Sequence, residues 1–85
     1  MIVKFHKNFE KQYKKLKKPR KDKFQERVKL FLLDEFNPVL NNHPLKGKFS
    51  GYRSINVTGD LRAIYKKLED VSIFVAIDSH SNLYN

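Results

Sequence analysis

An α+β fold is predicted for this chain: a short N-terminal strand, a basic two-helix hairpin, then a three-stranded antiparallel meander, with the helices packed on one face of the sheet. Three observations predict it. Apolar residues recur at helical spacing in the first half, they alternate at strand spacing in the second, and prolines and turn residues punctuate the chain between them. Its 85 residues make a single domain, 1–85, and a chain of that size buries only about 60% or slightly more of its unfolded surface. Any binding surface should therefore be a shallow groove and not a deep cavity.

Ile2-Val3-Lys4-Phe5 reads as the first strand, on its β-branched residues. From Phe9 the apolar positions Phe9, Tyr13 and Leu16 fall at i, i+4, i+7 with lysines between them, which predicts a helix with Asn8 as N-cap and Pro19 as its end. A second helix carries Phe24, Val28, Phe31 and Leu32 as one stripe, widened by Leu33 and Phe36 and stopped at Asn37-Pro38. Pro38 to Lys48 has no periodicity and reads as a loop, in which Pro44 biases His43 towards an extended conformation. Tyr52–Val57 alternates as a strand, Thr58-Gly59-Asp60 turns the chain, Leu61–Leu68 returns, and Glu69-Asp70 leads into Val71–Ile77. Val71, Ile73, Val75 and Ile77 form the set expected to face the helices, with Asp78, Ser79 and His80 at the sheet edge before a C-terminal tail.

Charge is distributed as unevenly as hydrophobicity. Residues 1–33 hold twelve Lys and Arg against three acids, residues 34–85 hold six of each, and the net +9 therefore lies entirely on the N-terminal third. Such an excess favours a polyanionic partner, either a nucleic acid whose counterions are released on binding or an acidic protein. The lysine run, with Lys14, Lys17 and Lys21 at its centre, is the candidate RNA contact. With no cysteine there is no thiolate nucleophile, thiolate zinc site or disulfide framework, which suits a reducing cytoplasm. His6, His43 and His80 have no metal-ligand spacing, so no metal and no small-molecule cofactor is expected. Neither a signal peptide nor an apolar run approaching the ~20 residues of a membrane span is present, so no membrane partner is expected.

His43, Asp60, Arg62, His80 and Tyr84 lie in predicted loops and strand ends, and together they match the needs of RNA cleavage without a metal. That reaction takes a base for the 2′-hydroxyl, an acid for the leaving 5′-oxygen and a fixed cation for the phosphorane. His80 is the candidate acid and His43 or Asp60 the base. Arg62, helped by Lys46 and Lys48, is the candidate phosphate cation, and Tyr84 a stacking surface for an unpaired base.

The order of strand, basic hairpin, His43-Pro44-Leu45, Gly51-Tyr52-Arg53, Asp60-Leu61-Arg62-Ala63-Ile64-Tyr65 and His80-Ser81-Asn82-Leu83-Tyr84 resembles the RelE/ParE toxin superfamily, most closely its YafQ-type branch, over essentially the whole chain. The resemblance implies a bacterial type II toxin that cleaves messenger RNA in the A site of the 70S ribosome and is silenced by a cognate acidic antitoxin. It implies catalytic roles for His43, Asp60 and His80, a terminal aromatic at Tyr84, and phosphate binding by Arg62. Two positions depart from the branch's pattern: Asn56, an expected RNA contact, stands where a strand histidine is usual, and Asp78-Ser79-His80 replaces Gly-Thr-His. A carboxylate at Asp78 would favour protonated His80 if the two are close. Two other functions are compatible with the same architecture: a ParE-like inhibitor of DNA gyrase, and an RNA-binding relic without activity.

Overall fold

The computed structural model of the chain describes residues 1–84. Its order is β1 (Ile2–Phe5), α1 (Lys7–Lys14), α2 (Lys18–Leu33), β2 (His43–Pro44), β3 (Arg53–Asn56), β4 (Leu61–Leu68), β5 (Val71–Ser79) and α3 (His80–Leu83), with single 3-10 turns at Pro38–Leu40 and Gly47–Phe49. The expected meander β3-β4-β5 is present, but it is the centre of a larger sheet. Five strands run in the order β1-β5-β4-β3-β2, with β1 parallel to β5 and every other pairing antiparallel. β1 is the expected first strand, whereas β2 falls in the expected loop on a segment too short to show a period; each pairs because β5 and β3 offer an unpaired edge.

The helical hairpin forms for the expected reason and with different ends. The N-cap of α1 is His6 and not Asn8: its Nδ1 accepts the Asn8 N–H at 3.1 Å. Pro19 does not end α1, which stops at Lys14. It sits instead in the first turn of α2, where a missing N–H leaves nothing unsatisfied. At the far end α2 stops at Leu33, with the Asp34 N–H bonded to the Leu30 carbonyl at 2.8 Å, so Asn37-Pro38 is not its terminator. Phe24 and Phe31 are buried from its stripe and Val28 packs beside them, whereas Leu32, Leu33 and Phe36 face solvent.

Helices and sheet enclose one aromatic core. Phe9 and Phe24, with ring centroids 5.1 Å apart, meet Phe74 at 5.9 and 5.7 Å, and Phe31 meets Tyr65 edge-on at 4.9 Å. Leu61, Ala63 and Tyr65 of β4, Ile55 of β3 and Val57 just after β3 complete it. The expected helix-facing set of β5 is corrected. Tyr65 pairs with Phe74 while Ile64 pairs with Ala76, so Val75 is an extra residue on β5, a bulge that shifts the alternation by one. Ser72 and Phe74 face the helices before the bulge and Ile77 after it, while Val75 packs on the opposite side and Val71 and Ile73 stay outside the core.

A buried polar cluster closes the end of the core below α2. Glu35, 8% exposed, takes hydrogen bonds on its carboxylate from the Tyr65 hydroxyl (2.7 Å) and the Lys67 ammonium. Burial by itself would raise the Glu35 pKa, but the bonds from Lys67 and Tyr65 and the charges of Lys67 and Arg53 outweigh it and hold the carboxyl below the usual range. The same burial, reinforced by the bond to Glu35, pushes the Tyr65 hydroxyl well above its ordinary value.

Candidate active site

The sheet face away from α1 and α2 carries the candidate site. A second apolar cluster there, Ile64, Ala76 and Leu83 with Leu45, Phe49, Tyr52, Val75 and Tyr84, seats α3 and the loop before β3. Strand register sorts the polar residues above it into two rows. His43 is paired with Ser54, Ser54 with Ile64, and Ile64 with Ala76; two residues further on, Asn56 is paired with Arg62 and Arg62 with Asp78. Paired residues point to the same face with Cβ atoms about 5 Å apart, so His43, Ser54, Asn56 and Arg62 share one surface.

The sequence places His80 at the sheet edge, leading into a C-terminal tail. It is instead the first residue of α3, whose N-cap Ser79 accepts the Asn82 N–H on its hydroxyl at 3.2 Å. Its backbone N–H donates to the Asp60 carbonyl at 2.9 Å, which ties the β3–β4 turn to the start of α3 and sets Asp60 beside it. The exposed His80 ring lies edge-on to Tyr84, centroids 4.8 Å apart, and the Tyr84 hydroxyl bonds to Ser54 Oγ at 3.2 Å. Tyr84 thereby joins the His80 ring to Ser54, whose strand partner is His43. His43 is half-buried, and its Nδ1 lies 2.8 Å from the Asn41 carbonyl; since a carbonyl can only accept, Nδ1 carries the proton and the neutral ring keeps its lone pair on Nε2.

Arg62 turns back over the hairpin, and its Nη1 donates to the carbonyls of Thr58 (3.1 Å), Gly59 (3.2 Å) and Leu61 (3.3 Å). That fixes one arm of the fork; among the described residues the guanidinium forms no ion pair, so its charge is not neutralised by a protein carboxylate. Asp78 makes no ion pair with His80 either: its Oδ1 accepts the Ser79 N–H (2.8 Å) and the Asn82 amide (3.1 Å), which caps α3. Beside Arg62, the buried Oδ1 of Asn56 has no hydrogen-bond partner among the described residues. Lys46 and Lys48 stand exposed on the loop that carries Phe49, with Lys48 Nζ 5.3 Å from the Phe49 ring.

Lys14, Lys17 and Lys21 are elsewhere. They lie on α1, at the N-cap of α2 and on α2, in the helical layer behind the sheet. Two residues on the site face escaped the sequence reading. Ser54 looks like any small strand residue until register places it between His43 and Tyr84. Lys66, with Nζ 5.5 Å from the Tyr52 ring, alternates with Arg62 and Ile64 on β4, and that spacing could have revealed it. An open groove of about 440 Å³, lined among others by His6, Gln12, Lys48, Tyr52 and Asn82, extends from this face towards α1.

A family model described as bacterial toxin of type II toxin-antitoxin system, YafQ, matches residues 1–85. Among solved structures, YafQ from E. coli strain BL21(DE3) is 24% identical with a TM-score of 0.83, over 98% of this chain and 97% of that one. The E. coli DinJ-YafQ toxin-antitoxin complex matches at 25% identity and a TM-score of 0.76 (98% and 96% covered), and a YoeB/ParE toxin from Agrobacterium tumefaciens at 18% and 0.76 (94% and 99% covered). No curated protein matches the chain.

Proposed function

Because the chain belongs to the YafQ family of bacterial toxins of type II toxin-antitoxin systems, we propose that it is a ribosome-dependent endoribonuclease that cuts messenger RNA in the A site and so stops translation. The observation that carries this reading is the gathering of two imidazoles, a guanidinium with no carboxylate partner among the described residues and a tyrosine on one open sheet face. A ParE-like protein-binding inhibitor would have no use for that set.

In the reaction, His43 Nε2 takes the proton of the 2′-hydroxyl as the oxygen attacks the adjacent phosphorus, with Asp60 the alternative base. Protonated His80 gives its proton to the departing 5′-oxygen, leaving a 2′,3′-cyclic phosphate and a free 5′-hydroxyl. Arg62, joined by Lys46, Lys48 and Lys66, meets the charge of the phosphorane, and Tyr84 supports a base. Asn56 adds an amide to the phosphate side of the face. So small and open a groove holds a flexible strand poorly, and the ribosome supplies the alignment that in-line attack requires. The +9 charge and the exposed site favour silencing from outside by an acidic protein, and the similar E. coli YafQ is held in a toxin-antitoxin complex with DinJ.

Purified toxin added to a translating extract should produce primer-extension stops within codons of translated messages, with cyclic-phosphate ends, and leave the same RNA intact without ribosomes. Fast cleavage of naked RNA would refute ribosome dependence. Intact messages together with inhibited gyrase would move the chain to the ParE class of activity.

A further inference from the structure

The loop that presents His43 is anchored on the opposite side of the sheet, through one carboxamide. Asn42 uses both of its side-chain N–H donors and its oxygen: Nδ2 donates to the Glu35 carbonyl at 3.0 Å and to the Tyr65 hydroxyl at 2.7 Å, and Oδ1 accepts from Arg53 Nε at 2.8 Å. Each of these partners is itself held. Tyr65 is fully buried and donates to Glu35 Oε2, while Arg53 lies over the Phe36 ring at 5.3 Å and is the cross-strand neighbour of Pro44. The residue before Asn42 is Asn41, in the left-handed region at φ 46°, and its carbonyl receives the His43 Nδ1 proton.

We propose that Asn42 is a positioning residue for His43: by clamping the chain between the Asn41 carbonyl and the His43 ring to the Glu35–Tyr65–Arg53 cluster, it keeps Nδ1 protonated and directs the Nε2 lone pair into the groove. The proposal rests on the cleavage reading above only for its effect on rate; the ring's tautomer is a property of the free protein. A carbonyl freed to swing away no longer selects between the two nitrogens, and the ring then samples both tautomers and more than one orientation. Asn42 itself touches neither RNA nor the reacting atoms. Its loss should therefore appear in kcat and not in KM.

The test is nitrogen-15 NMR of the histidine side chains in the full-length toxin, together with single-turnover cleavage of ribosome-bound message. In the parent protein the neutral His43 ring should show a protonated Nδ1 and a bare Nε2. Asn42→Ala should mix the tautomers and lower kcat about 10- to 100-fold, the scale of a misplaced catalytic group, with KM for programmed ribosomes and the His80 signals unchanged. Should Asn42→Ala fail to fold, Tyr65→Phe removes one of the three anchors while keeping the ring against Phe31 and Phe74, and it should shift the tautomer and kcat in the same direction. A protonated Nε2 in the parent, or an unaltered tautomer in the variants, would overturn the proposal. If the tautomer responds as expected but the parent protein cuts no RNA, the cleavage reading falls and the positioning role stands.

Discussion

At the scale of single residues, the candidate site uses local bonds to hold side chains that would otherwise be mobile. His80 is exposed, yet its backbone is pinned to Asp60 and its ring rests against Tyr84. As proton donor to the leaving oxygen it should be worth about 10² to 10⁴ in rate, the usual range for general acid catalysis. His80→Ala should therefore permit growth when expressed without antitoxin, and should melt at the parent's temperature because the side chain buries no core surface. Full toxicity in that variant would remove His80 from the mechanism. His80 as a site candidate could be read from the sequence by its residue type and its place after an apolar strand, whereas its helical backbone could not. A four-residue helix has too few residues to show a period, and it forms here because Ser79 and Asp78 cap it and Leu83 finds an apolar seat on Ile64 and Ala76.

Among elements, the bond between the end of α2 and β4 through Glu35 is the one that titrates. The folded carboxyl lies below its ordinary value near 4.5, so its stabilising contribution is complete above that pH and is lost as pH falls through the lower folded value. Glu35→Gln should cost about 1 to 3 kcal/mol at pH 7, the range for a buried hydrogen-bonded group deprived of a partner. Urea unfolding from pH 7 to pH 3 should show that difference shrinking with acidity. A gap independent of pH would mean that Glu35 acts through packing and not through charge. The bulge at Val75 has a comparable structural weight, because it lets Phe74 and Ile77, three residues apart, both face the helices.

Across the whole molecule, the two candidate surfaces lie on opposite sides of the sheet. The lysines of α1 and α2 are in the helical layer, and the imidazoles and Arg62 are on the far face. Docking and chemistry should therefore separate kinetically. Reversing the charges of Lys14, Lys17 and Lys21 should weaken ribosome binding and flatten its dependence on salt by roughly one unit of log–log slope per lost phosphate contact, with kcat on bound ribosomes preserved. Ribosome sedimentation that stays the same across a salt series would assign this basic surface to another partner.

What the sequence determined by itself rests on local chemistry: the helical hairpin with its buried Phe24 and Phe31, the first strand, the three strands of the meander and their turns, the one-sided charge, and a set of residue types suited to chemistry at a phosphate. Tertiary structure decided the rest. The two-residue strand at His43 and the parallel pairing of β1 exist only because neighbouring strands present free edges, which no local pattern records. The phase of β5 depended on a bulge set by pairing with β4. The bonds from Tyr84 to Ser54 and from Asn42 to Tyr65 join residues 30 and 23 positions apart, so they arise from the register of the finished sheet and not from any spacing along the chain.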